Sequence, residues 1–199
     1  MKRELVILMW LLTAVSLKAQ QSPELAFSKS CAFEYDTQYD KAITALQELK
    51  SDSYEVNLRL GWLYYLNKDN LKSQAHYKRA ITIEPGSVEA RFGLALPLSA
   101  QNNWTEVLSV YQEILKQDPN NSIANYRVAT IYYNRKEYAN ARLNISKVIR
   151  MYPFDYDSNL LYGKILIAQG KATDAKKYLT KALEYNPQSD EVKALIKKL

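Results

Sequence analysis

Glycine, cysteine and histidine are scarce in this 199-residue chain, with five, one and one of each. None of the glycines forms a G-x-G-x-x-G or G-x-x-x-x-G-K-[ST] loop, so the sequence lacks the backbone cradle that nucleotide-binding α/β folds need around phosphate. A single cysteine (Cys31) and a single histidine (His76) are too few for a structural zinc site or an internal disulfide. Carboxylates are abundant, but none of them stands in a cluster with metal-ligand logic, so neither a metal nor another cofactor is expected. Hydrophobic residues make up 47% and charged residues 24%, enough apolar material for a core.

The formal charge is +6. Part of it lies at the amino terminus, where Lys2, Arg3 and Lys18 outweigh Glu4; without residues 1–19 there remain 24 basic and 20 acidic residues. So thin and scattered a surplus does not form a phosphate-tracking face, and no nucleic-acid partner is expected.

Residues 1–20 read MKRELVILMWLLTAVSLKAQ. A basic start precedes the mostly apolar run Leu5–Leu17, which spans about 20 Å as a helix against a hydrocarbon core of roughly 30 Å. The pattern is that of a signal peptide over 1–19, cut between Ala19 and Gln20. A buried first helix and an uncleaved anchor are the alternatives. The expectation is export to a periplasmic or extracellular space, with no stable membrane span after cleavage. Sequons at Asn103, Asn120 and Asn144 would matter only in a eukaryotic secretory pathway.

The strongest signal is internal repetition. Pro85, Pro119, Pro153 and Pro187 recur at one constant spacing of thirty-four positions, and other columns keep step. Twenty-four positions before each proline stands a small residue (Gly61, Ala95, Ala129, Gly163), and eight before it stands Tyr77, Tyr111, Ile145 or Leu179. Within a unit the spacing is helical: Leu60, Gly61 and Tyr64 mark one face, and Tyr138, Ala141, Ile145 and Val148 mark a second stripe after a polar break. Each unit therefore reads as a helical hairpin closed by a proline. Small residues let the two helices approach where Gly or Ala meets the partner's Tyr or Leu.

These units resemble tetratricopeptide repeats. The resemblance is carried by Leu60-Gly61, Tyr162-Gly163, Tyr64, Tyr132, Ala141, Ala175 and the four prolines, and by segments such as KEYANARLNISKVIRMYP (136–153). Ser73, Val107, Ile114 and Val148 depart from the small residues of that pattern, and looser packing is expected there. The resemblance implies an all-α, right-handed superhelical solenoid: a degenerate first repeat over 23–53, repeats over 54–87, 88–121, 122–155 and 156–189, and a capping helix over 190–199. In the degenerate unit, 39–49 reads as a second helix, with a link to the next unit about three residues short. Ser189 would cap the last helix, with Val192, Leu195, Ile196 and Leu199 on one face.

In that family the first helices line the concave side, which implies a groove for a peptide or helix of a protein partner. Leu58, Arg59, Trp62 and Tyr65 would contribute to it from the second unit, and Phe92 and Leu96 from the third. Ile123, Tyr126, Arg127, Thr130 and Tyr133 would follow from the fourth, then Asp157, Leu160, Lys164 and Ile167 from the fifth. Aromatics with a polar edge suit a surface that is wet when free and buried when bound. The alternative is that these side chains fill the joints between units. The Lys, Asn and Arg clamp with which some family members grip carboxyl-terminal tails is missing, because Phe27, Cys31 and Trp62 occupy equivalent positions. Pro97, inside the third unit's first helix, predicts a kink or local opening. Cys31 and His76 fall on helices of different units, His76 on a surface, so no thiol–imidazole pair forms and no enzyme is expected. The reading is a non-catalytic adaptor in the cell envelope, or else an accessory subunit of an envelope secretion or outer-membrane assembly complex.

Overall fold

A first helix of 13 residues, a short turn, a second helix of 14 residues and a proline-bearing link fill each period of the sequence. The computed structural model, which describes residues 22–199, shows this unit four times. The apolar run expected to be a signal peptide lies outside the described residues. Among the described residues there are eleven helices and no strand. They fall into two compact units, divided after Ser51.

The first unit contains α1 (Pro23–Tyr35) and α2 (Tyr39–Gln47), packed as a hairpin. Its core includes Ala26, Ala42 and Leu46, each fully buried, and Leu49.

The second unit alternates first helices α3 (Tyr54–Leu66), α5 (Val88–Ala100), α7 (Ser122–Asn134) and α9 (Tyr156–Ala168) with second helices α4 (Asn70–Ile83), α6 (Trp104–Gln117), α8 (Tyr138–Met151) and α10 (Ala172–Tyr185). The short α11 (Asp190–Lys197) closes the series. Each of these helices packs on the next along the chain, and α3 also touches α5 as α7 touches α9. The four prolines occupy matching links, just ahead of the caps Ser87, Asn121, Asp155 and Ser189. With Ser53 these caps form a column of the same period, and each side-chain oxygen accepts from the N–H three residues on. The turns inside the hairpins are equally regular. Lys68, Asn102, Lys136 and Gly170 recur once per period with φ of +62°, +59°, +61° and +73°, the left-handed residue that ends a helix. Only Gly170 takes that conformation without steric cost. In the first unit Thr37 does the same at φ +58°. Its separation from Lys68 falls three positions short of the period, the shortening expected from the sequence.

Tyr77 shows how close the helices come. It is 3% exposed, and its ring lies where a Cβ on Gly61 or on Gly93 would stand, within 2.9 Å and 2.1 Å of ring atoms. In the last hairpin a Cβ on Gly163 would come within 2.6 Å of Leu179. The residues expected to loosen the second helices are buried instead: Val107, Ile114 and Val148 lie in the core, and Ser73 Oγ donates 2.7 Å to the Gly61 carbonyl. Nor does Pro97 open its helix. α5 runs through it to Ala100, and the Pro97 carbonyl accepts from the Gln101 N–H. At the far end Val192 is fully buried and Leu195 and Ile196 pack beside it, but Leu199 lies beyond the helix and is exposed.

Candidate partner-binding face

First helices give one face to the core and carry large side chains beyond it. Leu58 and Trp62 on α3 and Phe92 on α5 are half-buried against the core cluster of α4–α7. Tyr126 and Tyr133 on α7 rest in the same way on the cluster of α7–α9. Trp62 and Tyr65 form an aromatic pair with ring centroids 5.9 Å apart, and Phe92 and Tyr133 meet Tyr111 and Tyr138 at 6.0 and 5.9 Å. Arg59 and Leu96 are half-buried, whereas Arg127 is exposed. Burial raises the pKa of the Tyr77 phenol, with Glu89, Tyr65 and Arg59 close enough to act on it.

Two expected groove residues are engaged within the fold. Leu160 is 8% exposed and belongs to the core that Val192 of α11 completes, so it offers no surface. Lys164 is held by the capping helix, its Nζ 2.5 Å from Glu191 Oε1.

Tyr126 and Arg127 come together in a cleft of about 390 Å³, with Ile123 on α7, Tyr152 after α8, and Asp155, Asp157 and Ser158 at the start of α9. Burial raises the pKa of Tyr126, and the nearby Asp157 raises it further.

His76 is not the surface residue expected. Its ring stacks on Tyr64 at 5.3 Å and 8°, and its Nδ1 lies 2.9 Å from Asn57 Oδ1. Asn57 Nδ2 donates to Asp52 Oδ1 and to the Ser53 carbonyl, so its oxygen must accept and the imidazole proton sits on Nδ1. Hydrogen bonding from Arg79 is the main reason that the Asp52 carboxyl is held down to about 2. Burial lowers the His76 pKa below its usual value, with Asp52 opposing. A histidine that stays neutral when folded contributes stability above pH about 6.5, which is lost as pH falls through that value towards the folded pKa. The melting temperature should therefore drop between pH 7.5 and 5.5 by more in the native chain than in His76→Gln. His76 is the chain's only histidine, so this difference isolates its titration. An equal drop in both would dismiss the effect.

Models described as tetratricopeptide repeat match residues 54–87, 92–156 and 135–199. The chain belongs to the tetratricopeptide repeat family. It is 26% identical over 149 residues to the tetratricopeptide repeat protein 21 homolog of Caenorhabditis elegans, a match covering 75% of this chain and 11% of that protein. It is 24% identical over 174 residues to the TPR repeat-containing protein YpiA of Bacillus subtilis, covering 84% and 40%. The chain thus spans less than half the length of these curated relatives. Among solved structures, a crystal structure of MamA superposes with a TM-score of 0.72 at 19% identity, covering 83% of this chain and 92% of that one. YrrB, described as a TPR protein with an unusual peptide-binding site, superposes with a TM-score of 0.70 at 15% identity, covering 88% and 91%. At such identities the likeness is one of fold.

Beside these tetratricopeptide repeat features runs a column not anticipated from the sequence. Asn57, Asn125 and Asn159 keep the register of the repeats and are buried, and each donates from Nδ2 to the carbonyl four residues back. Asn125 and Asn159 also reach back to the carbonyls of Pro119 and Pro153. Polar residues on the buried faces of first helices were the available signal. Asn144, one of the three sequons, is likewise buried and bonded to the Asn140 carbonyl, so it cannot carry a glycan in the folded chain. No described helix is long and apolar enough to cross a membrane.

Proposed function

We propose that this tetratricopeptide repeat chain is a non-catalytic scaffold exported to the cell envelope, which holds an extended peptide or a helix of a protein partner against its first helices. The observation that carries the reading is the set of half-buried aromatics on those helices, above all Trp62 and Tyr65, which present rings with polar edges beyond the packing face. Such rings are the usual anchors of protein interfaces. The description of YrrB as peptide-binding is consistent with it. Export rests on the basic start and the apolar run Leu5–Leu17 of the sequence.

The test is the double variant Trp62→Leu, Tyr65→Ala. Leucine at 62 keeps apolar contact with the core. Loss of such anchors costs about 2 kcal/mol or more, roughly thirtyfold in affinity for a partner captured by crosslinking in the native envelope. Unchanged affinity of the folded variant would remove these helices from consideration. The export reading further requires a mature chain that begins at Gln20 in the envelope fraction.

A second reading, a subunit of an envelope secretion or outer-membrane assembly complex, is favoured by aromatics away from the first-helix groove positions. Phe154 and Tyr185 are more than half exposed and meet edge to face at 5.5 Å. Recovery mainly in a large membrane complex would support it.

A further inference from the structure

The cleft between α7 and α9 is built differently from the rest of the repeat array. At the third position of the first helices the columns read Val56, Ala90, Ala124, Ser158 and, in α11, Val192. All five are buried, and only Ser158 carries a polar group. Its hydroxyl is buried with no hydrogen-bond partner, although the residue is 1% exposed and lines the cleft. A hydroxyl placed where its counterparts are apolar, and left unbonded, lacks a packing rationale.

Around it stand oxygen atoms and rings. Asp155 lends one carboxylate oxygen to the Ser158 N–H and keeps the other. Asp157 is exposed, and its counterparts are engaged where it is not: Glu191 pairs with Lys164 and Glu89 receives the Tyr54 hydroxyl, whereas Asp157 makes no ion pair among the described residues. Two carboxylates against one guanidinium, Arg127, leave the lining net acidic in a chain that is net basic. Tyr126 and Tyr152 supply ring faces and Ile123, 57% exposed, an aliphatic shelf. Carboxylates and a hydroxyl accept from an ammonium or guanidinium, phenol rings attract a cation through their faces, and an aliphatic shelf takes the neighbouring methylenes.

We infer that this cleft is a pocket for a lysine or arginine side chain of an extended partner peptide, with the cationic head on Asp157, Asp155 and Ser158 and the stem over Tyr126, Tyr152 and Ile123. The inference rests on the reading of the first helices as the partner-binding face and adds the chemistry of one of its subsites.

The probes are three blocked tripeptides, acetyl-Leu-Lys-Leu-amide and its analogues with glutamate or norleucine at the centre. They are titrated into the full chain while the backbone amide resonances of residues 122–127 and 155–158 are followed. The lysine peptide should shift these resonances at least tenfold more tightly than either analogue, and added salt should weaken it. Asp157→Asn should lose at least fivefold of that affinity, Asp157→Glu should retain it, and Asp157→Lys should turn the preference to the glutamate peptide. Ser158→Ala should melt no lower than the native chain, because alanine is the residue at 90 and 124, yet bind the lysine peptide more weakly. Equal binding of the three peptides, or indifference to Asp157→Asn, would overturn the inference. Partner capture that is lost in Trp62→Leu, Tyr65→Ala but indifferent to the Asp157 variants would also overturn it while leaving the broader reading intact. If instead partner capture survives Trp62→Leu, Tyr65→Ala, the broader reading fails, and the tripeptide preference still decides the pocket on its own resonances.

Discussion

Tyr77→Ala is expected to remove about 3–5 kcal/mol of stability, a large share of the roughly 5–15 kcal/mol that holds a typical domain together. The ring is 3% exposed and lies across Gly61 of its own hairpin and Gly93 of the next, so its loss opens one cavity against two helices. In a repeat array the interface between neighbours is a separate contribution to stability, and a side chain that serves both the hairpin and the interface damages both. The reverse change probes the same slot. A methyl on Gly93 would fall 2.1 Å from a Tyr77 ring atom, a distance that forces ring or backbone to move, so Gly93→Ala should cost about 1–3 kcal/mol. Leucine in place of Tyr77 lacks the outer ring atoms, Cε1 and Cζ, that lie nearest a methyl on Gly93. Gly93→Ala should therefore cost clearly less in a Tyr77→Leu background, and urea unfolding of the four chains measures the difference as a coupling energy. Additive effects would mean that Gly93 is not glycine on account of Tyr77.

That slot was partly legible beforehand. The column of small residues ending in Gly163 and the column of large ones ending in Leu179 keep a fixed offset, and helical geometry places them face to face. Gly93 was not legible, because it belongs to the next helix and stands two positions before Ala95, the small residue of its own column. The same limit governs the candidate site. Trp62 and Tyr65 could be paired from their spacing of three on one helix. The ion pair of Lys164 with Glu191 and the burial of Leu160 depend on α11 packing beside α9; Ser189 and Val192 keep the period, but a helix read as a cap does not say which side chains of its neighbour it engages. His76 was misread as exposed because its partner Asn57 lies on the preceding helix, and polarity on a second helix ordinarily means water. The cleft eluded the sequence for a related reason: Tyr152 and Asp155 belong to a link, whose direction follows from packing and not from period.

The buried asparagines give the second large effect. Asn125 Nδ2 donates 3.0 Å to the Pro119 carbonyl and 2.9 Å to that of Asn121, and Asn159 donates 3.1 and 2.7 Å to Pro153 and Asp155. Each side chain fastens the proline corner to the helix that follows, and both are fully buried. Alanine at 159 would leave the Pro153 carbonyl without its donor, and alanine at 125 would leave that of Pro119 only the longer bond from Lys147 Nζ at 3.4 Å, at about 1–3 kcal/mol for each site and less at 125. The two sites act in successive links without shared partners, so Asn125→Ala with Asn159→Ala should approach the sum of the single changes. Asn159→Asp makes a sharper test because it keeps the shape and removes the donor. At pH 7 its carboxylate would face two carbonyl oxygens away from water, and it should cost more than alanine. Burial among acceptors raises the folded pKa of such an aspartate above the unfolded value near about 3.9, so the penalty grows as pH rises through that range and eases in acid, where the protonated carboxyl can donate as the amide did. Urea unfolding of Asn159→Asp and Asn159→Ala at pH 7 and pH 4 reads the crossover directly. If aspartate proves as stable as asparagine at pH 7, the corner is held by the proline and the helix cap alone, and the asparagine column has no part in fastening one hairpin to the next.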